Sequence, residues 1–456
     1  MNTLPDGALV AWLGDDFTGS ATTMEALAFA GVPSVLFLDI PTAEQMARFP
    51  QMRGIGIAST ARSHSPEWMR DHLPPAFAFL KDTGAPVVHY KVCSTLDSAP
   101  HVGSIGAALD IGAPLIGGAW VPCLIASPPQ RRYQAFGHLF AGSPQGVFRL
   151  DRHPVMARHP VTPMAEADVA RHLGQQTKRP FGLVTVEDLE TDAAAGLSRE
   201  LAQGAEVVSL DTMTAPHMAT TGDLIWQAAR THQTFVIGSQ GVEYALVDYW
   251  RKAGLIPYAE VQTGAGAVDQ LIVVSGSVSP ITAQQIALAE ADGFTGIALD
   301  AAALVTGDTS AEDAAYQAAL GVLAKGGSPL IYTARGPDDP AVAKMRAAVQ
   351  AAGVREDDAN ARIGATLGRL LSRLLRETGL RRAVISGGDT SGYASRQLDL
   401  FAFTALSPAT PGAALLEAHS DDPALAGLQL ALKGGQMGSP DYFSWIKRGG
   451  GAAQKG

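Results

Sequence analysis

Two adjacent carboxylates, Asp15 and Asp16, follow the apolar run Leu9–Leu13 and lead into Phe17-Thr18-Gly19-Ser20. Such a pair is costly to bury unless it meets a cation, a hydroxyl-rich ligand or backbone N–H groups. Either one carboxylate caps the next helix while the other stays solvated, or one binds a polyhydroxy substrate and accepts the proton of its reacting hydroxyl. Two cations stand at comparable turns. Arg62 lies in STARSHS, and Lys91 ends the apolar run PVVHYK, ahead of Val92-Cys93-Ser94-Thr95. Together they would suit a substrate carboxylate, although a lysine at a strand end can also extend to solvent. Cys93 has no triad-like signature around it and reads as a small buried thiol. His153 and His159, each before a proline, do not match a zinc spacing. They belong to a rigid loop that is either structural or lends one imidazole to the site.

The second half carries three turns of one form. VV runs into SGSVSPITAQQI, AVI into SGGDTSGYASRQL, and LAL into KGGQMGSPDYF. Glycine lets backbone approach a phosphate closely, and helix N-termini offer unpaired N–H groups to an anion. Ser279 and Pro280 suit the start of the first helix, Thr390 or Ser391 the cap of the second, and Ser439 with Pro440 the start of the third. One such turn signifies only tight packing; three in one domain point to a phosphate cradle. GxxxxGK[ST] is absent, and no GxGxxG stands at a strand-to-helix turn, which argues against a P-loop protein and a dinucleotide dehydrogenase.

The elements that must position these residues are alternating strands and helices. Strands are expected at Leu9–Leu13, Ser34–Leu38, Gly54–Ala58, Val87–Lys91, Gly182–Val186, Val207–Leu210 and Phe235–Ile237. A second series is expected at Leu271–Val274, Pro329–Thr333, Ala383–Ser386 and Leu428–Leu432. The stretch 111–127 reads as buried strand plus loop. This pattern predicts an α/β protein of two domains, each a mostly parallel sheet flanked by helices. The length of 456 residues agrees. The expected division is a first domain over 1–256, a Gly-rich linker over 257–270, a second domain over 271–448 and a disordered tail over 449–456. In open parallel sheets ligands gather at the C-terminal strand ends, where Asp15, Asp16, Arg62, Lys91 and the three glycine turns are expected.

Composition narrows the partners. At 46% hydrophobic and 17% charged the chain is a folded globular one. A net charge of −10 without a basic block argues against nucleic acid. Two cysteines fit a reducing compartment. With neither a signal-peptide pattern nor a spanning apolar stretch, a cytoplasmic protein with no membrane partner is expected. A homo-oligomer stays open.

In their order and spacing DDFTGS, ARS, YKVCSTLDS, HPVTPM, SGSVS, SGGDTSG and LALKGGQMG resemble the four-carbon acid sugar kinases, over nearly the whole chain. The resemblance implies an N-terminal half that binds a short sugar acid, a C-terminal half that binds ATP with Mg²⁺, and an active site in the cleft between domains. On it Asp15, Asp16, Thr18, Arg62, Lys91, Ser94, Thr95 and His159 would face the substrate, with Asp16 or Asp15 as base. Ser275, Gly276, Ser277, Gly387, Gly388, Asp389, Thr390, Gly434 and Gly435 would hold the nucleotide, and Asp389 the metal. Many relatives continue after the Ser-Thr pair with Arg-Gly-Asn, where this chain reads Leu96-Asp97-Ser98-Ala99-Pro100. That departure looks like the 3-oxo-tetronate kinase branch and leaves threonate, erythronate, 3-oxo-tetronate and the branched 3-oxo-isoapionate as substrates. The alternatives are a two-lobed sugar-acid sensor and an aldolase with Lys91 as its Schiff base.

Overall fold

The computed structural model describes residues 3–143, 145–159, 161–259 and 263–451, and the backbone alone of Asp389. The chain divides into two compact units, Met1–Ala259 and Glu260–Gly456.

Short apolar runs in the first unit form β1 (Val10–Gly14), β2 (Ser34–Phe37), β3 (Gly54–Ala58), β4 (Val87–Lys91) and β5 (Val121–Leu124). A small separate sheet follows, made of β6 (Arg132–Ala135), β7 (His138–Ser143) and β8 (Gly146–Arg149). The main sheet resumes with β9 (Phe181–Val184), β10 (Val207–Leu210) and β11 (Thr234–Gly238). Its order is β2-β3-β1-β4-β11-β5-β10-β9, and every pairing in it is parallel. Strands buried on both faces need continuous apolar sequence, which is why VAWLG and TFVIG are wholly buried. After β1 the chain builds outward through β2 and β3, then returns to place β4 on the other side of β1. The order therefore reverses between β1 and β4, in register Gly14↔Lys91. Such a switch point opens a crevice at the C-terminal strand ends, where Asp15, Asp16 and Lys91 stand.

The second unit repeats the plan. It contains β12 (Ile272–Ser275), β13 (Phe294–Ala298), β14 (Ser328–Tyr332), β15 (Arg382–Ser386), β16 (Leu400–Thr410), β17 (Ala413–Ser420) and β18 (Leu428–Lys433). The order is β13-β14-β12-β15-β18-β17-β16, parallel except for the antiparallel pairs β16–β17 and β17–β18. Its switch point lies between β12 and β15, in register Ser275↔Ser386. The core beneath joins Val273, Ile286, Leu330, Val384, Ala431 and Phe443.

Several expectations need correction. The stretch 111–127 is the end of a helix, Ile105–Ile116, that carries Pro114 in its last turn, followed by β5. Val186 is the first residue of a helix capped by the Thr185 side chain rather than the last of a strand. Gly387 precedes the helix Gly388–Ser395 at φ +126°, so Thr390 and Ser391 lie within its first turn instead of capping it. The last helix starts at Tyr442 behind Asp441, whose carboxylate accepts from the Ser439 hydroxyl. Of the expected tail, Gly449–Gly451 are held by backbone bonds, among them Gly451 N to Pro408 O at 2.7 Å. Residues 452–456 lie outside the described residues, as do 260–262 of the expected linker.

Candidate active site

In the first unit the loops after β1, β3 and β4 are tied into one frame. The Asp15 N–H donates to Lys91 O (2.9 Å), the Arg62 N–H to Asp15 O (3.0 Å) and the Val92 N–H to Gly238 O (2.7 Å). On it sit two carboxylates and two cations. Asp15 is 1% exposed, and Arg62 grips it with both Nε (3.0 Å to Oδ2) and Nη2 (2.7 Å to Oδ1). The same Nη2 reaches Asp16 Oδ1 at 3.0 Å. Asp16 also caps the helix Phe17–Ala28 by accepting from Gly19 N, and its Oδ2 accepts from the Thr18 hydroxyl (2.8 Å). Lys91 is buried and donates to Val92 O (2.7 Å).

The carboxylates differ in character. Burial pushes the Asp15 carboxyl up, and the negative charge of Asp16 adds to that against the pull of Arg62. Burial would raise Asp16 as well, but Arg62, Lys91, the Thr18 hydroxyl and the Gly19 N–H together hold it below the usual carboxylate range. Arg62 is thus engaged by both carboxylates, through Nε and Nη2. A Cβ on Gly19 would stand 2.3 Å from Asp16 Oδ1 and 2.6 Å from Lys91 Nζ, so those side-chain ends would have to shift. Replacing Gly19 with Ala should therefore keep the helix and displace both groups. The expected loss in kcat/KM is about 10²-fold, as for a misplacement of about 1 Å, read by steady-state kinetics beside an unchanged circular dichroism spectrum.

The structure brings Thr95 and Cys93 to the neighbouring loop. Thr95 Oγ1 donates to Asp97 Oδ1 (2.9 Å) and lies 2.9 Å from Cys93 Sγ. Burial pushes the Cys93 thiol up to about 11, which makes it a poor nucleophile at neutral pH. Leu96, between Thr95 and Asp97, is buried at φ +52°, a strained conformation for leucine. Ser94 lies on the same loop, half-buried. His159 bonds within its own loop, to the Thr162 N–H and hydroxyl at 3.1 and 3.0 Å. Among the described residues no hydrogen bond joins it to Asp16 or Lys91.

Two functional candidates were missed in the sequence. Arg132, at the start of β6, forms no ion pair among the described residues. Its Nη1 donates to carbonyls of Gln130, Arg131 and Gly142, and its Nε is buried without a partner. Burial lowers its guanidinium, with Cys93 and Asp97 close enough to oppose the shift. The buried pair His89–Glu243 (2.7 Å) was also missed; His89 Nε2 faces Gly238 O at 3.0 Å, bracing β4 two residues before Lys91.

In the second unit the three glycine turns meet. The Gly276 N–H donates to Ser386 O (3.0 Å) and the Gly387 N–H to Lys433 O (2.8 Å). A Cβ on Gly276 or Gly387 would stand 2.4 or 2.6 Å from Thr390 Oγ1, and one on Gly435 2.8 Å from Ser277 Oγ. The Ser279 hydroxyl donates to Gly435 O. Gly388 has open space where a side chain would be, and Gly434 packs on Met437. Ser275 and Ser386, side by side at the ends of β12 and β15, have buried hydroxyls without a partner among the described residues. Orphaned donors beneath a small-residue turn fit a polyanionic ligand. Asp389 stands in the first turn of the helix Gly388–Ser395; its side chain lies outside the described residues. Among the described residues no three His, Cys, Asp or Glu side chains form a metal cluster, and no helix is long and apolar enough to cross a membrane.

Comparison with known proteins gives the same division. A sugar-binding N-terminal domain family matches residues 10–246 and a nucleotide-binding C-terminal domain family matches 272–443. The chain is 44% identical to the 3-oxo-isoapionate kinase of Paraburkholderia graminis, over 98% of this chain and 95% of that one. It is 28% identical to a 3-oxo-tetronate kinase of Pseudomonas fluorescens, over 96% of each. A solved Salmonella typhimurium LT2 structure shares the fold, with a TM-score of 0.79 at 24% identity over 96% of this chain and 98% of that one. The fold is that of a two-unit α/β protein with a polar crevice at one switch point and a cluster of glycine turns at the other. The chain belongs to the four-carbon acid sugar kinase family.

Proposed function

We propose that the protein is an ATP-dependent kinase that phosphorylates the terminal hydroxyl of a short 3-oxo sugar acid, with the branched 3-oxo-isoapionate as first choice. The observation that carries this reading is the 44% identity, over 98% of the chain, to a relative named for that acid. The two site geometries support it independently.

The acid occupies the crevice between β1 and β4. Its hydroxyls meet Asp16, Thr18, Lys91, Ser94 and Thr95, with His159 as a loop contact. Its carboxylate is taken by Arg132, because Arg62 is already held by Asp15 and Asp16. Asp15, buried and gripped through both oxygens, positions Arg62; Asp16, the more exposed of the two, receives the substrate. The substrate hydroxyl attacks the γ-phosphorus, the bond to the β,γ-bridging oxygen breaks, and ADP leaves with that electron pair. The hydroxyl proton passes to Asp16. A carboxylate held below its usual range is a weak base, which suits a loose transition state in which the proton moves late.

ATP lies on Ser275, Gly276, Ser277, Gly387, Gly388, Thr390, Gly434 and Gly435. Mg²⁺ on nucleotides is bound mainly by phosphate and water, with one or two carboxylates. Asp389, in the first turn of the helix Gly388–Ser395, is the residue that would hold the ion, which would offset phosphate charge. The test is ADP release from Mg²⁺–ATP with 3-oxo-isoapionate, 3-oxo-tetronate, threonate and erythronate, with mass spectrometry of the product. The expected result is a product one phosphoryl group heavier, formed fastest from 3-oxo-isoapionate. ATP binding without turnover of any of these acids would overturn the substrate assignment.

A further inference from the structure

Lys433 ends β18 and is 0% exposed, one of the largest fully buried side chains in the protein. Its Nζ donates to Thr282 Oγ1 (3.2 Å), in the first turn of the helix Pro280–Ala291, and to Gly434 O (3.0 Å). Thr282 Oγ1 in turn donates to Ser277 Oγ (2.9 Å). The ammonium thus stands where the turns after β12 and β18 converge, and its own carbonyl anchors Gly387 of the third.

No carboxylate pairs with Lys433 among the described residues. The helix Pro280–Ala291 offers it the neutral Thr282, the β12 turn the neutral Ser277, and the turn after β18 a carbonyl. The one carboxylate of the helix Gly388–Ser395, Asp389, has its side chain outside the described residues. A buried ammonium without a counter-charge is destabilising, and proteins retain one where a ligand supplies the charge. We propose that Lys433 is the counter-charge for the nucleotide's phosphate chain, a binding residue that makes the cradle select phosphorylated over unphosphorylated nucleosides. This rests on the reading of the second unit as the ATP site and adds the group that recognises the anion. Burial pushes the free ammonium down to about 7, so a docking phosphate would draw a proton onto the lysine at mildly alkaline pH.

The test compares the full-length protein with Lys433→Met, which keeps the length of the side chain without its charge. Calorimetric titrations with ATP and with adenosine are run at pH 8 in two buffers of different ionisation enthalpy. The variant should lose about tenfold or more in ATP affinity, the worth of one charge-assisted bond, with adenosine binding unchanged. Wild type should take up protons on binding ATP, and the variant none. Equal ATP affinity in the two proteins overturns the assignment. If the variant does not fold, wild type decides alone, and ATP binding without proton uptake overturns it. Wild type that binds neither ATP nor adenosine sinks the nucleotide reading itself, a failure distinct from the loss of Lys433's role.

Discussion

Asp16→Asn should lower kcat by about 10² to 10⁴, the usual contribution of a positioned base, and leave ATP affinity unchanged. The amide preserves what Asp16 does for the fold. Asparagine caps helices as well as aspartate, so its Oδ1 can still accept from Gly19 N, while its Nδ2 can donate to the Thr18 hydroxyl in place of accepting from it. It loses the negative charge facing Arg62 and Lys91 and the capacity to take a proton. The nucleotide is held in the second unit and has no reason to respond. Asp15→Asn is the informative companion, because Asp15 has no oxygen free of Arg62. If Asp15→Asn lowered turnover as a base would while Asp16→Asn did not, the assignment of the two carboxylates would be reversed.

Much of this frame was legible in the sequence because parallel strands covered on both faces need unbroken apolar runs. Gly54–Ala58, Val87–Lys91 and Val207–Leu210 fall where the runs do. The cap at Ser279 with Pro280 as the next residue was equally plain. The antiparallel edge was not. In LFAFTALSPAT the apolar residues are interrupted by Thr404, Ser407 and Pro408, and the register shifts at Ala405/Ser407 and Ser407/Thr410 leave no clean alternation to read. The small sheet β6–β8 was hidden for a related reason, since its burial is partial and its short strands mix apolar residues with Arg, Gln, His, Ser and Gly.

The site was legible as a set of residue types and illegible as a set of partners. Arg62 could be seen as a cation at a turn, but its engagement by Asp15, 47 positions away, depends on β1 lying beside β3. Lys433 was in plain view within LALKGGQMG. A lysine closing an apolar strand ordinarily reaches solvent, and only the meeting of the turns around it shows that this one does not. Arg132 carried no motif at all, and its lack of an ion pair among the described residues emerges only from the folded chain.

Arg62→Met should cost about 3–5 kcal/mol of stability at neutral pH, the penalty for removing one partner of a buried ion pair. Asp15, 1% exposed, would keep its carboxyl with neither the bidentate contact nor the opposing charge. Burial and the charge of Asp16 already push Asp15 up, and loss of Arg62 removes the leading influence that pulls it down. An aspartate whose folded value lies above its unfolded one contributes stability below the unfolded value and loses it as pH rises through the folded one. The variant should therefore be closest to wild type near pH 4 and fall away from it toward pH 8, as urea midpoints at several pH values would show. The double variant Asp15→Asn/Arg62→Met should recover most of the loss at pH 8, because the uncompensated charge is gone. Equal destabilisation of single and double variants across that range would mean that the arginine stabilises the loop through packing alone. The function of the pair can be separated in the same proteins: the double variant should fold and still turn over slowly, since Asp16 remains but Arg62 no longer orients it.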